Sequence, residues 1–350
     1  MTLSRRDLLK ASAAIASAIG LGAAGAYQAS KALALESTQG GLPVVWLQGQ
    51  ACTGCSVSLL NSIKHGTIDR LLVSVLDVEY HPNVMAAAGD AASGAAEAAR
   101  DRGGYVLVVE GAIPTALSGD YCTVWPGMTA LAAVQEFAAN AVFILAVGTC
   151  ASFGGLSAGA PNVTGASGVL DLDISPAINS RIINLPGCPA HPDWVVGTVA
   201  YLLKYGKLPD LDIYKRPIDA VIPFYKTAVH DNSCPNRNWY DTYYNTSEVV
   251  ELDEHDNTMP PNCLSCHTNG DDKVPLPRRL STTAGGCLYP LGCRGRMTYA
   301  DCGTRKWNAG SAAAAGVNWC IGAGAPCHGC TEPNFPDGMS PFFYLSGPGA

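Results

Sequence analysis

The sequence predicts an α/β protein: a doubly wound parallel-sheet domain at 42–208, followed by an irregular domain at 209–350 built around its cofactors. Short apolar runs rich in β-branched residues recur through the first part, separated by Ala-rich stretches such as 85–100. Runs of that length and content are buried parallel strands joined by crossover helices. After Leu208, Pro, Asn, Asp, Gly and Cys dominate and the periodicity fades. A segment so poor in apolar side chains needs another source of stability, which metal ligation supplies. The third observation is 14 cysteines among 350 residues. That is more than packing requires and less than a small disulfide-stapled scaffold carries, so metal or cluster ligation leads.

The strand candidates are 43–47 (Pro-Val-Val-Trp-Leu), 71–76 (Leu-Leu-Val-Ser-Val-Leu), 105–109 (Tyr-Val-Leu-Val-Val) and 141–147 (Ala-Val-Phe-Ile-Leu-Ala-Val). Three of them run into distinctive loops, Gly49 to Cys55, Glu110 to Pro114 and Gly148 to Gly155. Ligands of open α/β sheets gather at the carboxyl ends of the strands, so one site is expected on that edge.

Ahead of this domain, Ser4-Arg5-Arg6-Asp7-Leu8-Leu9-Lys10 precedes an Ala/Gly/Ile/Leu run at 11–26, and Ala32-Leu33-Ala34 offers a small-x-small cleavage site. Residues 1–34 are therefore read as a twin-arginine export signal, which places the mature protein in the periplasm. The apolar run is shorter than the roughly 20 residues that span a bilayer, and no later stretch qualifies, so no transmembrane segment is expected in the mature chain. Gly20-Leu21-Gly22-Ala23-Ala24-Gly25 has dinucleotide-binding spacing but follows no strand, and is set aside. A chain with 48% hydrophobic and 15% charged residues is folded, and a net charge of -7 with only 22 Lys and Arg gives no footprint for nucleic acid. The twin-arginine route carries folded proteins, and reduced thiols before export favour cluster assembly over disulfides.

The cysteines fall into groups. Cys52-Thr53-Gly54-Cys55 follows a strand, with Cys150 and Cys188 at later loops, each flanked by Gly or Pro. Four thiolates at a sheet edge suit a [4Fe-4S] cube; tetrahedral zinc and a redox-active CxxC pair are the competing readings. In the second region, Cys327-His328-Gly329-Cys330 is again a paired spacing, which Cys302 and Cys320 complete to four thiolates. His230 with Cys234, Cys287 and Cys293 makes a mixed set, and a histidine in place of one thiolate generally raises a cluster's potential. Cys122, Cys263 and Cys266 are left unassigned.

On these residues the chain resembles the small subunit of the periplasmic nickel-iron hydrogenases. The likeness runs from Trp46-Leu47-Gln48-Gly49-Gln50-Ala51-Cys52-Thr53-Gly54-Cys55-Ser56 through Val109-Glu110-Gly111-Ala112-Ile113-Pro114, Gly148-Thr149-Cys150 and Pro186-Gly187-Cys188-Pro189. It ends at Pro326-Cys327-His328-Gly329-Cys330-Thr331-Glu332-Pro333. The resemblance implies a flavodoxin-like first domain with a proximal [4Fe-4S] cluster on Cys52, Cys55, Cys150 and Cys188. It implies a distal [4Fe-4S] cluster on His230, Cys234, Cys287 and Cys293, and a medial one on Cys302, Cys327 and Cys330. Many members have proline at the position of Cys320 and hold a medial [3Fe-4S] cluster; with cysteine there, the medial cluster is expected to be [4Fe-4S]. That matches the nickel-iron-selenium branch, which the chain also resembles at Tyr121-Cys122 and at Phe335-Pro336-Asp337-Gly338.

The implied activity is that of a hydrogenase, with this chain as the subunit without nickel. A partner large subunit splits dihydrogen at a nickel-iron centre, and electrons pass through the three clusters to an acceptor, commonly a c-type cytochrome. The resemblance places Glu110 near the subunit interface and the proximal cluster, either in proton movement or as a buried carboxylate held by loop amides. His191 is read as an interface histidine or a hydrogen-bond donor to cluster sulfur, Cys122 as a small packed residue, and His65, His81, His255 and His328 as surface or packing residues. Oxygen-tolerant members carry a cysteine at the position of Gly54, so oxygen sensitivity is expected.

Two departures stand out. His230-Asp231-Asn232-Ser233-Cys234 is one residue longer than the family's usual HxxC, and an insert at about 240–280 contains Cys263-Leu264-Ser265-Cys266-His267. The latter is the attachment pattern for c-type haem. Asp253 to Asp272 offers few apolar side chains to cover a porphyrin, so an empty or disulfide-closed loop, or a small metal site, competes with haem for Cys263, Cys266 and His267. The alternative functions are an exported multi-cluster electron carrier unconnected with hydrogenase, related to the proximal-cluster protein of respiratory complexes, and a disulfide-bonded exported binding protein.

Overall fold

The computed structural model describes residues 41–62, 68, 71, 75–238, 241, 287–289, 292–308 and 316–339. The export signal at 1–34 and the haem pattern Cys263, Cys266 and His267 lie outside them. The chain divides into two compact units, the first running to Lys226 and including Asn308, the second running from Thr227 to Trp307 and resuming after 314.

The first unit is built on five parallel strands: β1 (Leu42–Gln48), β2 (Leu76–Tyr80), β3 (Val106–Glu110), β4 (Phe143–Val147) and β5 (Ile182–Leu185). Their order across the sheet is β2-β1-β3-β4-β5, and each neighbouring pair is parallel. This is the doubly wound, flavodoxin-like order, with its topological switch point between β1 and β3. Every residue of central β3 is buried, as a strand covered on both faces by helices must be.

The 71–76 run is not the second strand. Leu71 is helical and β2 begins at Leu76, because the strand lies at the sheet edge, where Asp77 and Glu79 can meet solvent. Leu71 and Val75 are buried all the same, so that apolar run contributes side chains to packing ahead of the strand. β5 escaped the sequence reading; it is four residues long, with Asn184 interrupting its apolar pattern.

Among the described helices are α1 (Gly54–Leu60), α2 (Asp90–Arg102), α3 (Ala130–Asn140), α4 (Thr149–Phe153) and α5 (Pro192–Tyr205). α2 buries only Ala96 and Ala99, small enough for close packing, and carries Asp90 in its first turn and Arg100 and Arg102 in its last, each matching the helix dipole. In α3 the Thr129 hydroxyl caps the amide of Ala132 at 3.1 Å, and Ala130, Ala133, Val134, Phe137 and Ala138 form the buried stripe at helical spacing. α5 starts with Pro192, which needs no amide partner there, and stops at Gly206, whose φ is 60°, the left-handed end that glycine accepts without strain.

The second unit has little regular structure among its described residues. Helical turns occur at Val229–Ser233, Cys302–Arg305 and Ile321–Ala323, and isolated bridges join Ala228 to Tyr299 and Trp307 to Asn318. No described helix is long and apolar enough to cross a membrane.

Candidate functional site

The carboxyl ends of four neighbouring strands supply one corner each of a site in the first unit. β1 leads to Cys52 and Cys55, β3 ends on Glu110, β4 leads to Cys150 at the start of α4, and β5 leads to Cys188. The four thiols lie within electrostatic range of one another. Burial first, then Cys150 and Cys52, push the Cys188 thiol up to about 11, although part of the residue meets solvent. Burial also raises Cys150, opposed by the Leu156 amide and reinforced by Cys52. Cys55 is raised most strongly by burial, opposed by the Ala190 amide, with Glu110, Cys150 and Cys188 adding to the rise. The Ala190 amide donates to Cys55 Sγ at 3.5 Å.

Glycines bring the backbone close to these sulfurs. A Cβ on Gly148 would lie 2.5 Å from Cys55 Sγ, one on Gly155 2.8 Å from Cys150 Sγ, and one on Gly54 3.0 Å from Cys52 Sγ. Gly148 adopts φ 87°, a conformation costly for any side-chain-bearing residue.

Thr53, at the N-cap of α1, is itself left-handed with φ 63° and makes no side-chain cap. The first amides of a helix need acceptors, and here a distant residue supplies them. Glu110 Oε1 accepts from the amides of Cys55 at 3.0 Å and Ser56 at 3.2 Å. Its Oε2 accepts from Trp46 Nε1 at 3.0 Å, Gln48 Nε2 at 2.9 Å and the Ser56 hydroxyl at 2.5 Å. Glu110 is thus a buried carboxylate that accepts from two amides of the first turn of α1, where a loop was expected to supply them.

His81, expected to be a surface or packing residue, joins this network. Asn83 N donates to its Nδ1 at 3.1 Å, its Nε2 lies 3.2 Å from Ser56 Oγ, and its ring packs on Trp46 with centroids 4.9 Å apart. Burial drives its pKa down to about 4 against the pull of Glu110. His81 carries no ligand-type spacing, and only the fold brings it to Ser56. His191 caps α5, its Nδ1 accepting from Asp193 N at 3.0 Å. Cys122 packs half-buried against the core, and His65 and His255 lie outside the described residues.

In the second unit, His230 is buried in the turn Val229–Ser233, which Cys234 terminates. His230, Cys234, Cys287 and Cys293 line one cavity, so the extra residue between His230 and Cys234 does not part them. Burial first, with Cys293 among the further causes, takes Cys234 to about 11 and Cys287 to about 12. His230 Nε2 lies 3.7 Å from Asp241, which Arg237 holds at 3.2 Å.

Cys302, Cys320, Cys327 and Cys330 form the other group. The Cys302 thiol is raised well above its ordinary value by burial, then by Cys330, Asp301, Cys327 and Cys320. The two groups adjoin: the Cys327 amide donates to Cys293 Sγ at 3.3 Å, and the Arg294 amide returns a bond to the Cys327 carbonyl at 2.7 Å. Glu332, also buried, accepts from the Tyr299 amide at 2.6 Å and anchors the chain after Cys330.

All twelve described cysteines are free thiols. Among the described residues, no three His, Cys, Asp or Glu side chains converge as they would around a single metal ion.

The family model for the C-terminal region of the NiFe/NiFeSe hydrogenase small subunit matches residues 225–343, and one described as NADH ubiquinone oxidoreductase, 20 Kd subunit, matches 52–202. The chain is 37% identical to the periplasmic [NiFeSe] hydrogenase small subunit of Desulfomicrobium baculatum, covering 98% of this chain and 99% of that one. It is 36% identical to the periplasmic [NiFe] hydrogenase small subunit 1 of Nitratidesulfovibrio vulgaris, over 97% of this chain and 93% of that protein. Among solved structures, the recombinant [NiFeSe] hydrogenase of Desulfovibrio vulgaris Hildenborough superposes with a TM-score of 0.69 at 37% identity, covering 88% of this chain and 99% of that one. The fold and the relatives define an electron-transferring subunit of a hydrogen-metabolising oxidoreductase. The chain belongs to the small subunits of the NiFe and NiFeSe hydrogenases.

Proposed function

We propose that this chain holds three [4Fe-4S] clusters and conducts electrons from the nickel-iron centre of a large subunit, where dihydrogen is oxidised, to a c-type cytochrome in the periplasm. Cys52, Cys55, Cys150 and Cys188 would hold the proximal cluster, Cys302, Cys320, Cys327 and Cys330 the medial one, and His230, Cys234, Cys287 and Cys293 the distal one. When bound, such clusters supply one-electron redox chemistry.

The observation that carries this reading is the meeting of Cys52, Cys55, Cys150 and Cys188 at the carboxyl edge of β1, β4 and β5, where Cys150 and Cys188 act on Cys55, and Cys52 acts on Cys150 and Cys188. Ionising four clustered, partly buried thiols calls for a multivalent cationic partner. A zinc ion would draw its ligands to about 2.3 Å from one point, whereas a cube gives each sulfur its own iron and keeps the sulfurs apart. The absence of a mononuclear-type group among the described residues favours the cube. The free state of the described cysteines speaks against a disulfide-stapled binding protein.

The chain's own residues do three things for this function. Gly148 and Gly155 let backbone approach sulfur, the amides of Ala190, Leu156 and Cys327 bond to sulfur, and the fully buried β3 backs the proximal site. Hydrogen bonding and burial of this kind tune cluster potentials. The amide of Cys327 on Cys293 Sγ supports a short path between the medial and distal sites. Periplasmic relatives and the Arg5-Arg6 motif support export by the twin-arginine pathway.

Iron and acid-labile sulfide analysis of the purified heterodimer tests the reading. About twelve iron atoms are expected in this chain, four per cube, and Cys150→Ala is expected to remove the proximal share. A wild-type value far below that sum defeats the proposal.

A further inference from the structure

Glu110 is surrounded by donors. A carboxylate offers about four lone-pair positions, and five donors reach this one, from Trp46, Gln48, Cys55 and twice from Ser56. The hydrogens of the chain leading to it all point inward. Because Asn83 N donates to His81 Nδ1, the ring proton sits on Nε2 and faces Ser56 Oγ. Ser56 Oγ also receives Gln48 Nε2 at 3.2 Å. With both lone pairs of the hydroxyl engaged, its single proton goes to Glu110 Oε2. All five groups that reach Glu110 are donors, so a carboxyl O–H formed there would meet donors and find no acceptor, and taking up a proton would break the network.

We propose that Glu110 is a positioning residue and not a proton carrier: it pins the amides of Cys55 and Ser56 and sets a fixed negative charge that lowers the reduction potential of the site on Cys52, Cys55, Cys150 and Cys188. The proposal rests on the reading that a [4Fe-4S] cluster occupies that site. An anion beside a redox centre disfavours the incoming electron. His81 and Ser56 complete the device by aiming the donor chain at the carboxylate.

The test uses the purified heterodimer and redox titration followed by EPR. Glu110→Gln keeps the shape and removes the charge, and is expected to shift the proximal potential upward while the two clusters of the other unit stay at their wild-type values. Ser56→Ala keeps the charge but removes its shortest donor, and is expected to shift the same potential slightly downward. Isotope exchange between dihydrogen and D2O needs proton delivery but no electron exit, and is expected to continue in His81→Phe. An unmoved proximal potential in Glu110→Gln overturns the proposal, as does loss of exchange in either His81→Phe or Ser56→Ala, which is what a relay would give. Should Glu110→Gln lose proximal iron, the pinning role is upheld and Ser56→Ala decides the effect of the charge: a downward shift supports it and no shift refutes it. Iron analysis separates the two levels: wild-type protein without proximal iron refutes the cluster reading, whereas full iron with an unmoved potential refutes only the role of Glu110.

Discussion

The proposed four-iron composition of the medial site turns on Cys320. It stands at the N-cap of the turn Ile321–Ala323 with φ -50°, close to the angle a proline ring imposes. Its thiol is raised by burial, and its charge acts on Cys302 and Cys293. Proline therefore fits the backbone at this position while removing a ligand, so Cys320→Pro probes ligation with little penalty in folding. The expected outcome is loss of about one iron per heterodimer, an oxidised-state EPR signal of a three-iron cluster, and a changed medial potential. Retention of a four-iron medial cluster in that variant would remove Cys320 from the ligand set. Cys320 stood out in the sequence as a candidate ligand because it completes a count of four. The Glu110 network did not, because Glu110 lies 55 residues from Cys55 and His81 lies 25 from Ser56, and only β3 and β2 bring them to α1.

At the level of elements, the parts that sequence made legible are those buried on both faces. β1, β3 and β4 fall within about two residues of their apolar runs, since a continuous β-branched stretch has few other places to go. β2 was displaced because an edge strand alternates with charge, and β5 was missed because Asn184 breaks its pattern while bonding outside the sheet, to the carbonyls of Lys215 and Tyr214 at 2.9 Å. The strand-to-helix turns carry the site, and Gly148 between β4 and α4 is the glycine that comes nearest to a site sulfur. Gly148→Ala adds a Cβ 2.5 Å from Cys55 Sγ at φ 87°, and is expected to cost on the order of 1–3 kcal/mol in strain and to abolish proximal iron binding. Gly103→Ala is the control, since φ there is 70° but the added Cβ meets only Asn140, at 3.4 Å or more. The control should lower the thermal midpoint and keep its iron; equal iron in both variants would show that the approach of backbone to Cys55 is unimportant.

For the molecule as a whole, the two units rely on different sources of stability. The hydrophobic cluster runs from Val45 to Ile182, entirely within the first unit, and includes Tyr105, Phe137 and Ile144 at 0% exposure. Each such side chain contributes about 1.5–3 kcal/mol on burial, enough to hold the sheet without help. The described residues of the second unit bury Leu288, Trp319, Ile321, Phe335 and Met339 among few other large apolar side chains, and Cys287 and Cys327 stand with them in the interior. Where ligands replace a core, the free energy of metal binding is folding free energy. Removal of the clusters by oxidation and chelation should therefore act unequally. Hydrogen exchange followed by mass spectrometry is expected to show β1, β3 and β4 keeping strong amide protection in the stripped protein, while Val229–Ser233, Gly295–Met297 and Cys302–Arg305 lose theirs. Equal loss in both units would mean that the sheet also depends on iron, and equal retention would mean that the second unit folds on its apolar contacts alone.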